Sequence, residues 1–279
     1  MPQRLPATFA VATLAVAATA ATAAETPLER GRYLMGSIVA CGNCHTPMGP
    51  NGPLPGRELA GGAVFDEQPF TAYAPNITPD KETGIGSWTD AQIATAIRDG
   101  KRPDGSLIGP PMPIGLYRGI SDDDLGAIVA YLRTVLPVKN AVARSVYRMP
   151  LPPDYGPPVT KVAEVPRSDK VAYGRYLAGP LGHCIECHSG PTPQGPDVVN
   201  QLGVGGAQFK GPWGLSVASN ITPRGLAGYS DAALKKVITT GVRPDGSKLK
   251  PPMAVPFYAR INDADLDALV SYLRSLPPK

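Results

Sequence analysis

The sequence predicts an all-α protein built as two tandem units, and three observations carry that expectation. Apolar residues recur at helical spacing in several segments, no segment shows convincing strand alternation, and most of the chain repeats itself once. ERGRYLMGSIVACGNCH, ending at His45, answers to AYGRYLAGPLGHCIECH, ending at His188. NITP at 76–79 recurs at 220–223, and SWTDAQIATAIRDGKRPDGS is matched by GYSDAALKKVITTGVRPDGS. GPPMP around Met112 matches KPPMA around Met253, and ISDDDLGAIVAYLRTVLP pairs with INDADLDALVSYLRSLPP. The offset is 143 to 144 residues at the start and 141 at the methionines, so each half is one complete unit. Two copies argue for tandem domains rather than a solenoid.

Residues 1–24 read as an export signal. Arg4 supplies a short basic start, a run of small apolar residues follows from Ala7 to Ala20, and an Ala-Thr-Ala stretch precedes Glu25. No later segment approaches the roughly 20 apolar residues of a membrane span. The expected product is an exported, periplasmic protein, soluble or peripherally attached to the membrane, with no transmembrane span.

The first unit, 25–137, and the second, 169–279, each predict three helices. The first of these, near 29–40 and 172–182, leads into a cysteine motif. The second starts at Thr89, which can cap while Gln92 reaches back, and at Ser230 in the partner unit. The third begins at the caps Ser121 and Asn262, with acids Asp122 to Asp124, Asp263 and Asp265 near the positive helix end. Leu125, Ile128, Val129 and Leu132 share one face of it, as do Leu266, Leu269, Val270 and Leu273, and Pro137 and Pro277 close the two helices. Between the units, residues 138–168 hold a proline-rich run with no helical period, which predicts an extended, semi-rigid connector lying along both domains.

Composition sets limits on partners and on the core. Glycine and proline, 31 and 33 of 279 residues, make about a quarter of the chain, so a loop-rich protein needs something large for its loops to pack on. Without residues 1–24 the chain carries 26 Lys and Arg against 23 Asp and Glu, a balance too small to argue for nucleic acid or an anionic membrane.

All four cysteines fall in two CxxC pairs, each followed at once by a histidine: Cys41, Cys44, His45 and Cys184, Cys187, His188. A zinc site made of both pairs leaves the histidines unexplained, and CxxC disulfides require neither the histidines nor the repeat. Covalent haem uses every residue. Two thiols three apart on a helical turn can add to the two vinyl groups along one porphyrin edge, and the adjacent histidine can then bind iron from below. Methionine is the ordinary second axial ligand, and its soft thioether favours ferrous iron. Met112 and Met253 are the methionines that correspond between halves, 67 residues after His45 and 65 after His188, whereas Met48 stands too close to His45 to cross the ring easily. The sequence therefore predicts two covalently bound haem c groups, with Cys41, Cys44, Cys184 and Cys187 as attachment sites and His45, Met112, His188 and Met253 as iron ligands.

These motifs resemble class I cytochrome c domains. The string NITPDKETGIGSWTDAQIATAIRDGKRPDGSLIGPPMP is similar to the c-type cytochrome subunits that accompany periplasmic alcohol, aldehyde and gluconate dehydrogenases and some molybdenum hydroxylases. The likeness spans almost all of residues 28–279. It implies a protein that is not itself an enzyme but relays single electrons from a dehydrogenase toward a quinone, cytochrome or oxidase of the respiratory chain. Many members of that family carry three haems; two motifs are present here. The competing class, a dihaem redox enzyme with one labile site, usually needs an extra histidine or a cysteine ligand.

Lesser repeated features have structural readings. Asn76-Ile77-Thr78 and Asn220-Ile221-Thr222 fit a glycosylation pattern, but their recurrence in register favours a loop packed against haem. Trp88 and Tyr229 are placed either to meet a haem propionate or to pack in the core. The RPDGS turns read as structural, and Tyr131 and Tyr272 as aromatics packing on the first helix. His183, next to Cys184, aligns with Ala40 and reads as a helix-end residue rather than a ligand.

Overall fold

The computed structural model describes Met1 and residues 25–50, 52–193 and 195–279, so the predicted export signal lies, apart from Met1, outside the described residues. The first half runs α1 (Pro27–Gly36), α2 (Gly42–His45), β1 (Met48–Gly49), β2 (Gly52–Pro53), β3 (Val64–Glu67), β4 (Phe70–Tyr73), α3 (Asp90–Arg98), α4 (Ile114–Tyr117) and α5 (Asp122–Leu132). After β5 (Val146–Tyr147) the second half follows with α6 (Lys170–Tyr176), a π-helical turn over Leu177–Leu181, α7 (Cys184–His188), β6 (Gly190–Thr192) and β7 (Gly195–Asp197). It ends with β8 (Gln208–Gly211), β9 (Gly214–Val217), α8 (Asp231–Thr240), α9 (Val255–Tyr258) and α10 (Asp263–Ser275).

The helices start where their caps place them. Thr26 and Glu29 form a capping box at α1, Thr89 and Gln92 form another at α3, and Ser230 accepts from the Ala233 amide at α8. Ser121 and Asn262 accept from the amides of Asp124 and Asp265 at α5 and α10, each cap contributing about 1 kcal/mol. The expected apolar faces of α5 and α10 are buried. In both halves the first helix crosses the last at the glycine of GRYL. A Cβ at Gly31 would run into the Ala127 carbonyl and come within 2.9 Å of Tyr131 Cβ, and one at Gly174 would meet the Ala268 carbonyl and Tyr272 Cβ. Tyr131 and Tyr272 thus pack on the first helix, as their recurrence predicts.

A second clamp was not foreseen. Arg133 donates from Nε to Asp90 at 2.8 Å and reaches the Ile85 and Trp88 carbonyls, while Arg274 does the same with Asp231, Leu226 and Tyr229. One arginine per half therefore ties the last helix to the loop that opens the second helix.

The all-α expectation is corrected by the structure. Helices cover 32% of the described residues and strands 13%, the strands forming small antiparallel sheets of two or three members. Val64↔Tyr73 in β3–β4 and Gln208↔Val217 in β8–β9 are the same hairpin at an offset of 144 residues. Each of these strands has four residues and sits half in solvent, so only two side chains mark each face and no alternation stands out. The segment 138–168 is without helix, and β5 within it pairs with β4 through Phe70↔Tyr147 and Thr71↔Val146.

The halves share one hydrophobic core and meet through reciprocal hydrogen bonds. Tyr33 donates to Asp265 at 2.7 Å and accepts from the Asn262 amide; Tyr176, its repeat counterpart, donates to Asp124 at 2.8 Å and accepts from the Ser121 amide. Such crossed contacts give the seam the logic of a two-fold interface. Its asymmetry lies in Arg30, which grips Asp124 with two donors at 2.7 and 3.1 Å and reaches the hydroxyl of Tyr173, the residue standing at the matching place in α6.

Candidate haem-binding site

In the second half an apolar cavity is lined by Cys184, His188 and Met253 together with Ile221, Tyr229 and Tyr258. The cysteine and histidine enter from one short helix, α7. Met253 arrives from the opposite chain segment, on the proline-flanked loop before α9. Side chains 65 residues apart in sequence thereby line one space.

The histidine is oriented before any ligand arrives. His188 Nδ1 lies 2.7 Å from the Ser219 carbonyl, and His45 Nδ1 lies 2.8 Å from the Pro75 carbonyl. A carbonyl can only accept, so Nδ1 carries the proton and Nε2 presents its lone pair, the arrangement metal-binding histidines commonly use. Burial pushes both imidazoles below their ordinary pKa, which keeps them neutral.

The NIT motifs hold the carbonyls that do this orienting. Asn76 Oδ1 accepts from the amide and hydroxyl of Thr78, and its Nδ2 donates to the Val138 carbonyl at 2.7 Å; Asn220 repeats the pattern with Thr222 and the Lys279 carbonyl at 2.8 Å. Thr78 and Thr222 are fully buried, and Asn220 and Ile221 line the cavity. Both side-chain ends of each asparagine are committed to fixing a loop, which favours the packing reading of the motif over glycan attachment. The motif histidine is tied to the same loop from its other side. Gly61 donates to the His45 carbonyl and Gly205 to the His188 carbonyl, both glycines at positive φ where a Cβ would strike the Asn76 or Asn220 amide.

The cysteines are free in both pairs. Burial pushes the Cys41 and Cys187 thiols up to about 12, with the charges of Cys44 and of Glu186 adding to it, and pushes Cys44 and Cys184 to about 11. A redox CxxC needs the opposite shift, toward a stabilised thiolate. Neutral thiols on one helical turn, with Cys184 lining the apolar cavity, suit addition to vinyl groups instead. The donor set, the histidine tautomer and the apolar lining therefore fit haem c.

In the first half, His45 is buried, and Cys41 and Met112 are half-buried against the core. Met112 stands in the same loop before α4, its amide 3.4 Å from the Gly109 carbonyl, as that of Met253 is from Lys250. The two motifs approach each other: Phe257 lies 3.0 Å from where a Cβ of Gly42 would stand, and Ile38 packs on Gly182 and lines the second-half cavity.

His183 sits at φ 40° and Ala40 at φ 50°, so both make the left-handed step that opens the motif helix. Its Nδ1 lies 3.4 Å from Glu186, and its ring stands edge-on to Tyr117 at 6.1 Å. It does not line the cavity with His188 and Met253.

Sequence reasoning missed Tyr117 and Tyr258, which are buried beside the cysteine pairs at equivalent places in α4 and α9. It also missed Arg243, which lines the cavity from the RPDGS turn. All three recur in register, Arg243 with Arg102, so the repeat carried the signal. Tyr229 lines the cavity too, while Trp88 packs against the core.

No family model matches the chain. It is 32% identical over 277 residues to the fructose dehydrogenase cytochrome subunit of Gluconobacter japonicus, covering 94% of this chain and 55% of that one. It is 32% identical over 286 residues to the cytochrome c subunit of the quinone-dependent alcohol dehydrogenase of Gluconobacter oxydans, covering 94% and 57%. A diheme cytochrome c-type of Cereibacter sphaeroides is 29% identical over 249 residues, covering 85% of this chain and 82% of that protein. The chain thus spans little more than half the length of the first two relatives. Its relatives over most of its length are c-type cytochrome subunits of dehydrogenases and a diheme cytochrome c.

Proposed function

We propose that this chain is an exported dihaem cytochrome c that relays single electrons and catalyses no substrate conversion of its own. One haem c is held within 25–137 by Cys41, Cys44, His45 and Met112, and the other within 169–279 by Cys184, Cys187, His188 and Met253. The observation that carries this reading is the convergence of Cys184, His188 and Met253 on one apolar cavity, with the histidine already turned so that Nε2 is free. Haem c supplies the one-electron ferric–ferrous couple. The chain's own residues fix the imidazole through the Pro75 and Ser219 carbonyls, offer a thioether from a braced loop, and surround the site with apolar side chains that exclude water.

The relatives' names support a dehydrogenase as electron donor. A quinone, cytochrome or oxidase is the acceptor class this reading requires. Among the described residues no helix is long and apolar enough to cross a membrane. The experiment is optical. Ferric protein should show the weak charge-transfer absorption of methionine ligation, halved in Met112→Ala and halved in Met253→Ala. Unchanged absorption in both variants would refute the ligand assignment.

A further inference from the structure

The two hairpins that correspond in the repeat are finished differently. In the first half the outer edge of β4 is covered by β5, and the connector packs on: Tyr147 lies against Gly109, and Tyr155 lies against Gly100 and donates to the Ile108 carbonyl. In the second half the matching strand, β9, has no third strand beside it among the described residues. Trp213, Leu215 and Val217 are 37%, 46% and 50% exposed there, at every second position along the hairpin.

The surrounding charges change as well. Lys210 pairs across the hairpin with Leu215, and Lys250 donates from Nζ to the Leu215 carbonyl at 3.3 Å. Lys248 stands two residues earlier on the same methionine loop. The first-half counterparts of Lys210, Lys248 and Lys250 are Asp66, Leu107 and Gly109. All three lysines are exposed, none has a carboxylate partner among the described residues, and the loop 241–253 contains one acid, Asp245.

We propose that this face of the second half is the docking surface for the electron-accepting partner protein, one that presents carboxylates around an apolar centre. The proposal rests on the relay reading and deepens it by assigning the exchange of electrons with that partner to the second half. An apolar patch rimmed by unpaired charges of one sign is the composition expected of a transient interface, where the rim steers encounter and the centre excludes water. The first half has the same face covered by its own chain, so the open one is the asymmetric member of the pair.

The test follows reoxidation of reduced holoprotein by membranes of the producing cells across a range of ionic strength, with haem content and dithionite reduction recorded on the same samples. Lys210→Glu/Lys248→Glu/Lys250→Glu is expected to slow reoxidation about tenfold or more at low salt and to erase its salt dependence. Trp213→Ser is expected to weaken saturation while the salt dependence stays. Lys81→Glu/Lys101→Glu/Lys161→Glu, with the same charge change placed in the first half and connector, is expected to alter neither. Carbodiimide coupling to the membrane acceptor should yield cross-linked peptides carrying Lys210, Lys248 or Lys250. If the second-half reversal leaves rate and salt dependence intact in fully haem-loaded protein, the docking surface is refuted and the relay stands. If haem is lacking or dithionite reduces nothing, the relay itself falls. A homodimer in sedimentation that the reversal dissociates would assign the face to a second copy and overturn the proposal.

Discussion

In the first half, Tyr147, Tyr155 and β5 lie across the hairpin and the methionine loop; in the second half, the same hairpin and loop end in exposed Trp213, Leu215, Lys248 and Lys250, with no third strand beside β9 among the described residues. The scaffolds beneath are alike to the level of single contacts. Gly31 and Gly174 admit the same carbonyl, Arg133 and Arg274 clamp the same loop, and Pro75 and Ser219 orient the same imidazole nitrogen. What recurs is what holds the histidine and cysteines in place. What differs is what covers the site from outside and what charge is buried at the seam, so the repeat keeps the scaffold and varies the surface.

Five substitutions would break or sharpen that comparison. The largest effect is expected where the scaffolds agree. Gly31→Ala and Gly174→Ala should each destabilise the protein by about 3 kcal/mol in chemical denaturation, because each Cβ would have to displace a backbone carbonyl. A large loss for one and none for the other would deny that the halves are equivalent.

A similar loss confined to one side is expected at the seam. Arg30 and Asp124 are about nine-tenths buried, so Arg30→Leu strands a carboxylate and should cost about 3 kcal/mol. Tyr173→Phe at the matching place in α6 removes one hydrogen bond from Arg30 and should cost about 1 kcal/mol. Equal losses would remove the asymmetry.

The smallest effect concerns the connector. Asp104 accepts from the Ser106 hydroxyl and amide and then from Arg144, which together hold its carboxyl below the usual carboxylate range. Asp245 has the Ser247 contacts and no ion pair to a connector arginine, and is lowered as well. A depressed folded-state pKa gives stability that is full above the unfolded value, near pH 4, and is lost as pH falls through the folded value. Proton titration by NMR should place Asp104 below Asp245, and Arg144→Ala should raise Asp104 toward it. A titration of Asp104 unmoved by that change would detach Arg144 from the carboxylate.

Much of the site was legible because it is local or repeated. The CxxCH triplets, the caps Thr89, Ser121 and Asn262, and the paired methionines each announce themselves within a few residues or by recurrence at a fixed offset. The hairpins were not legible, since four-residue strands half in solvent leave no alternation to read. The seam was also hidden. Tyr33 meets Asp265 and Tyr176 meets Asp124 across the chain, and nothing local in GRYL or DDDL says which half will supply the partner. Arg243 recurs in the repeat but lies in an RPDGS turn that reads as structural, and Tyr117 and Tyr258 recur in segments to which the sequence assigns no element.

The central claim, one covalent haem in each half, is tested most directly by the intact mass of acid-extracted holoprotein. The account predicts two haems per chain in the native protein, one in Cys41→Ala/Cys44→Ala and one in Cys184→Ala/Cys187→Ala. A native chain carrying a single haem, or losing its iron to acid extraction together with the porphyrin, would contradict it.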